Sequence, residues 1–174
     1  RLVSLINKMD KISKVRYAHK KYKGHPYCNY LNYARYYLPE YFPKLDKIIY
    51  LDTDMLCLNR IEDLYLNIKF NQVPIETTSP KYKYFAAVPY TTWGNRYGDL
   101  RNVYPKLDKN IQEEDIIFNA GLYITLLNKW QENNITFELE KNFEENLNFK
   151  KTLLGGSQPP INMVFHNKFI IISK

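Results

Sequence analysis

The chain has 174 residues, of which 45% are hydrophobic and 16% aromatic, a length and composition that suit one globular domain over residues 1–174, burying about two-thirds of its unfolded surface. No apolar run approaches the ~20 residues of a membrane-spanning helix, and two cysteines, Cys28 and Cys57, make neither a disulfide framework nor a metal spacing. The net charge of +7 is local: residues 1–27 carry eight basic side chains against Asp10, while the remainder holds seventeen of each sign. A basic stripe of this sort suits a polyanion or peripheral contact with anionic lipid heads, and equally a solvated helix face.

In chain order, residues 1–14 place Leu2, Leu5, Ile6 and Met9 on one helical face, and a basic loop or edge strand follows to Pro26. Residues 27–38 read as a helix with Tyr27, Leu31, Ala34 and Leu38 inward, stopped by Pro39 because the residue before proline avoids helical geometry. Arg35 lies at the edge of that face, and pattern alone favours a guanidinium reaching to solvent over one pointing into a site. Residues 48–51 form a short unbroken apolar run, as in a strand covered on both faces. A turn and short helix are expected over 59–67, a surface loop over 71–83, an inner strand over 84–89 and another loop over 91–110. Residues 116–127 read as a strand, and Trp130 starts an acidic helix running to about 148. A short helix or turn begins at 161–165 after Gly155-Gly156, and 169–173 is a last strand. Alternating strands and helices argue an α/β fold.

The strand at 48–51 ends on Asp52-Thr53-Asp54. In an extended chain two carboxylates two residues apart project from the same side, and isolated ionised groups are costly to bury. A divalent cation offsets that cost, and oxygen-only ligands point to manganese, magnesium or calcium over zinc. Open sheets bind ligands just beyond the carboxyl ends of their strands, where these acids would stand. Asp-x-Asp alone equally describes turn or capping aspartates; the apolar residues on both sides favour the cation.

Three segments, taken together, match one family. Residues 32–65 (NYARYYLPEYFPKLDKIIYLDTDMLCLNRIEDLY) closely resemble the family 8 glycosyltransferases, among them glycogenin, bacterial galactosyltransferases and plant galacturonosyltransferases. Residues 118–130 (FNAGLYITLLNKW) look like that family's Phe-Asn-Ala-Gly strand and the Trp-led helix after it, and residues 156–165 (GSQPPINMVF) are similar to its Gln-bearing segment. The resemblance implies a GT-A (Rossmann-like) fold with a mostly parallel central sheet flanked by helices. It also implies a nucleotide-diphosphate-sugar donor (usually UDP-linked), Mn2+ or Mg2+, a glycan or glycoprotein acceptor, no nucleic acid, and retention of anomeric configuration. Carried over residue by residue, Asp52 and Asp54 match the metal-binding acids, Asp52 also lying near the donor. Arg35 matches an arginine that reaches the donor sugar and phosphates, against the solvent-facing reading. Asn119, with Ala120, matches residues that hold the donor sugar, and Gln158 matches the Gln beside the reacting carbon.

The sequence departs from the family pattern at Ser157, where an Asp is expected and a carboxylate contact to the sugar is therefore absent. Counterparts of the family's first strand and of its C-terminal His segment would lie before Arg1 and after Lys174; His19, His25 and His166 are read as surface or packing histidines. Two alternatives stand beside the transferase: a non-catalytic sugar-nucleotide or glycan-binding relic of the same fold, and a basic polyanion- or RNA-binding module resting on residues 1–27.

Overall fold

The computed structural model describes residues 30–70, 84–90, 112, 115–146 and 156–172. The expectations for residues 1–29, 71–83 and 91–110 lie outside them, and with them the basic stripe. Among the described residues no helix is long and apolar enough to cross a membrane.

The described chain opens with a 3-10 helix, Tyr30–Tyr37, that passes directly into α1 (Leu38–Tyr41). Pro39 therefore does not stop the helix. It stands in the first α-turn, where its missing N–H has no partner to lose. Of the expected inward face, Tyr27 and the side chain of Leu31 lie outside what is described, and Leu38 is buried as expected. Side chains three apart align in a 3-10 helix, and Tyr33, Tyr36 and Pro39 are all buried, together with Tyr37 and Leu38, while Ala34 is half-buried. Tyr33 packs edge-on to Tyr36 and against Phe143.

Four strands form one sheet in the order β1-β3-β2-β4: β1 (Lys47–Leu51), β2 (Phe85–Pro89), β3 (Phe118–Leu126) and β4 (Ile170–Ile171). The expected strands are present, but the pairing is not mostly parallel. β3 runs antiparallel to both β1 and β2, and only β2 and β4 are parallel, so the described sheet is mixed. An unbroken apolar run reports burial on both faces, which parallel sheets favour but which does not by itself fix the direction of pairing. β1 is terminal among the described strands and is half-buried along its whole length. Its unbroken apolar run still has a two-faced cause: Ile48 and Tyr50 pack on one cluster, Ile49 on the other.

The larger cluster joins the sheet to the helices. Phe85 stacks on Phe165 at 3.9 Å and on Tyr123 at 5.0 Å, and Trp130 leans on Phe165. Helix α2 (Ile61–Asn67) follows the Asp pair as expected, and the Lys47 ammonium caps its far end through the carbonyls of Tyr65 and Ile68. The single acidic helix expected from Trp130 is two helices, α3 (Leu127–Glu132) and α4 (Ile135–Asn146). The break falls at Asn134, whose φ of 52° is left-handed backbone that asparagine tolerates. In α4, Ile135, Leu139 and Phe143 are four apart and fully buried.

Helix α5 (Gln158–Val164) starts earlier than expected and takes Pro159 and Pro160 into its first turn. Its fully buried Asn162 acts as a short piece of neighbouring strand. The side chain accepts from Phe118 N–H at 2.8 Å and donates to Phe118 C=O at 3.0 Å. Asn162→Leu is expected to leave both backbone groups unpaired and to cost about 2–3 kcal/mol in urea unfolding; a loss below about 0.5 kcal/mol would show that Asn162 does not anchor α5 to β3.

Candidate functional site

Asp52 stands where the β1–β3 ladder ends. Its N–H donates to Gly121 C=O at 2.8 Å, and Met55 N–H then donates to Asp52 C=O at 3.2 Å. The chain turns through Thr53 and Asp54 instead of continuing extended, so the same-side argument for the two carboxylates does not apply. Asp52 is half-buried and Asp54 exposed. The apolar residues behind them are exposed as well, Leu56 and Leu58 most of all.

Arg35 points inward and is only 8% exposed. Its Nη2 donates to Asp52 Oδ1 at 2.6 Å and its Nη1 to Ala120 C=O at 2.8 Å. The guanidinium lies 4.4 Å above the centre of the Tyr50 ring, close enough for a cation–π contact. The Tyr50 hydroxyl donates to the same Asp52 oxygen at 3.0 Å. Burial pushes that hydroxyl up to about 12, opposed by the Arg35 charge and reinforced by Asp52 and Asp54. It therefore remains a protonated donor at neutral pH.

The second half of the cluster comes from β3 and α5. Ala120 N–H donates to Gln158 Oε1 at 3.1 Å, and Gln158 opens α5 with its side chain half-buried. Because the partner is an N–H, the Gln158 atom beside it must be the amide oxygen, which keeps one further lone pair for a ligand. Asn119 is exposed, and its Oδ1 accepts from Gly121 N–H at 2.7 Å, so its amide hydrogens remain as donors. A Cβ built on Gly121 would stand 2.9 Å from Asn119 Oδ1 and 3.0 Å from Asp52 Oδ2. Two oxygens thus close on a hollow that only glycine leaves open.

The structure therefore links Arg35, Asp52, Ala120, Gln158 and Asn119 through β3 backbone and Gly121. Asp54 lies beyond this network, in the turn. Ser157 is buried, donates to Asn32 Oδ1 at 2.6 Å and lends its carbonyl to the Tyr36 hydroxyl, so it is tied to the 3-10 helix. His166 pairs with Asp115 at 2.5 Å, joining the end of α5 to the approach to β3. Among the described residues no three His, Cys, Asp or Glu side chains gather as a metal group. Asp52 Oδ2 lies beside the Gly121 hollow. An apolar groove of ≈ 910 Å³ runs along β1 and α2 instead, sharing only Tyr50 with the cluster. Sequence reasoning missed two residues here. Tyr50 read as one more strand hydrophobe, and Gly121 as part of a motif with no stated task.

Comparison with solved structures defines the class: the chain has the GT-A glycosyltransferase fold. A crystal structure of the galactosyltransferase LgtC in complex with donor and acceptor sugar analogs aligns at a TM-score of 0.60 and 19% identity, covering 83% of this chain and 45% of that one. The apo form of mouse xyloside xylosyltransferase 1 aligns at 0.56 and 18% identity, covering 98% and 61%. The chain belongs to glycosyl transferase family 8, whose model matches residues 2–174. It is 30% identical over 153 residues to a probable galacturonosyltransferase 9 of Arabidopsis thaliana, covering 85% of this chain and 25% of that protein. It is also 30% identical over 162 residues to the human glycosyltransferase 8 domain-containing protein 2, covering 82% and 43%. The chain thus spans a quarter to less than half of the length of these curated relatives.

Proposed function

We propose that this chain forms the donor-binding half of a retaining glycosyltransferase that moves a sugar from a nucleotide-diphosphate donor, a UDP-sugar, to a hydroxyl of a glycan or protein. The observation that carries the reading is the hydrogen-bonded line Asp52–Arg35–Ala120–Gln158, which joins four segments, the end of β1, the 3-10 helix, β3 and α5, at one point. Asp52 and Asp54 would hold Mn2+ or Mg2+, and a cation there supplies Lewis-acid stabilisation of the departing diphosphate.

The other tasks fall to the chain itself. Arg35 keeps a fixed positive charge against the carboxylate end of β1, where negative charge grows as the sugar–phosphate bond breaks. Asn119 offers amide hydrogens to the sugar hydroxyls, while Ala120 ties that strand end to Arg35 and Gln158. The free lone pair of Gln158 Oε1 faces the developing cationic character of the anomeric carbon without being a strong nucleophile. With retention, the proton of the incoming hydroxyl passes to the leaving phosphate on the same face. Ser157 gives the sugar no carboxylate, since its hydroxyl is committed to Asn32.

The test is transfer and donor hydrolysis by the full-length polypeptide with Mn2+. Asp54→Asn is expected to lower kcat/KM about 100-fold with an unchanged unfolding curve, because Asp54 is exposed and outside the core. Gln158→Ala should lower kcat while the donor still raises the melting temperature. Binding of UDP-sugar by the wild type without any turnover would favour the relic, the reading for which the altered Ser157 position speaks. Binding that weakens steeply with salt and survives loss of both aspartates would favour the polyanion module.

A further inference from the structure

Tyr50 touches both Asp52 and Arg35. Residues two apart on a strand share a face, and at the end of β1 this sets the Tyr50 hydroxyl beside Asp52, 3.0 Å from Oδ1. The same ring lies under the Arg35 guanidinium at 4.4 Å. It also stacks on Tyr123 at 4.9 Å with the planes 6° apart, and Tyr123, fully buried, stacks on Phe85. A column of aromatic rings thus runs from the core through Phe85 and Tyr123 to Tyr50 and ends on Arg35. Asp52 Oδ1 receives two donors, Arg35 Nη2 and Tyr50 Oη, so the carboxylate is held against rotation about its last bond. Oδ2 is left beside Gly121.

We propose that Tyr50 is a positioning residue that orients Asp52 and Arg35 together, so that Asp52 presents Oδ2 alone to the divalent cation. This rests on the function proposed above. A hydroxyl holding one carboxylate oxygen matters to the affinity for the metal, and the ring beneath the guanidinium matters to the placement of Arg35. The two parts of the side chain can therefore be separated by substitution.

The experiment compares wild type, Tyr50→Phe and Tyr50→Leu in the full-length polypeptide. Mn2+ binding in the presence of UDP is followed by loss of the free-ion EPR signal, Mn2+ dependence of turnover is measured alongside, and melting temperature is taken without metal. Tyr50→Phe is expected to weaken Mn2+ binding about fivefold, with kcat at saturating Mn2+ within about twofold and the metal-free melting temperature within about 2 °C of wild type. Tyr50→Leu, which also withdraws the ring from Arg35, should weaken binding further and lower kcat by about tenfold. Wild-type Mn2+ affinity in Tyr50→Phe would overturn the proposal and leave the transferase reading intact. So would a fall in melting temperature and kcat in both variants with no change in Mn2+ half-saturation, since that marks a packing role only. A wild type that binds neither Mn2+ nor UDP removes the functional reading, and this inference with it.

Discussion

Arg35→Met is expected to lower kcat/KM by at least about 100-fold and to cost about 2–3 kcal/mol of stability. The guanidinium is a buried fork with two separate partners, Ala120 C=O and Asp52 Oδ1. Methionine fills the space of the stem and supplies no donor. Ala120 is fully buried, so its carbonyl loses its partner where water does not reach, and this is the larger part of the loss. Asp52 has about a third of its side chain exposed, so solvent screens its unpaired charge and its share is smaller. Arg35→Lys should recover less than half of either quantity, because one ammonium cannot bridge both acceptors in the same geometry. Urea unfolding and steady-state kinetics of the full-length protein measure the two effects. A lysine variant indistinguishable from wild type would show that charge alone matters here, and that the fork through Ala120 does not.

Gly121→Ala is expected to lower kcat/KM about 100-fold while costing only about 1 kcal/mol. The added methyl would stand 2.9 Å from Asn119 Oδ1, 3.0 Å from Asp52 Oδ2 and 3.5 Å from Asp52 Cγ. One of the three must give way. Asn119 is exposed and rotates at little cost, but in doing so it gives up the bond from Gly121 N–H and the orientation proposed for its contact with the donor. Asp52 is held by Arg35 and Tyr50 and moves only by losing them. Either adjustment disorganises the site and leaves the core of Phe85, Tyr123 and Phe165 intact. The distinguishing result is a near-normal unfolding midpoint combined with weakened Mn2+ and donor binding. A large loss of stability would mean that the strain spreads into β3, and normal kinetics would mean that the hollow at Gly121 has no part in the reaction.

Much of the architecture was legible because it is local. The β-branched and aromatic runs at 48–51, 84–89 and 116–127 each carry a strand, and a short helix follows the Asp pair within the expected residues 59–67. Where the reading failed, a local rule met a particular backbone. A proline in mid-course breaks a helix, yet Pro39 stands in the first turn of an α-helix that continues a 3-10 helix. Asn134 takes left-handed backbone and cuts one acidic helix into two. The resemblance implied a mostly parallel sheet where the described strands pair in a mixed one, and the apolar runs did not correct it because burial on two faces does not fix the direction of pairing.

At the candidate site the division is sharper. The residue types and their order along the chain determined the family and nominated Arg35, Asp52, Asp54, Asn119, Ala120 and Gln158, since these are questions of motif and spacing. Helical pattern alone left Arg35 facing solvent and the resemblance turned it inward, but only the tertiary structure gives its partner, because Ala120 is 85 residues away and no periodicity within a helix can reveal it. It also decided that Asp54 leaves the strand in a turn, that Tyr50 binds a carboxylate as well as filling a core, and that Gly121 keeps a space. Amphipathic pattern records whether a side chain meets water or other side chains. Which polar atom it meets is settled only when the sheet brings distant segments into register.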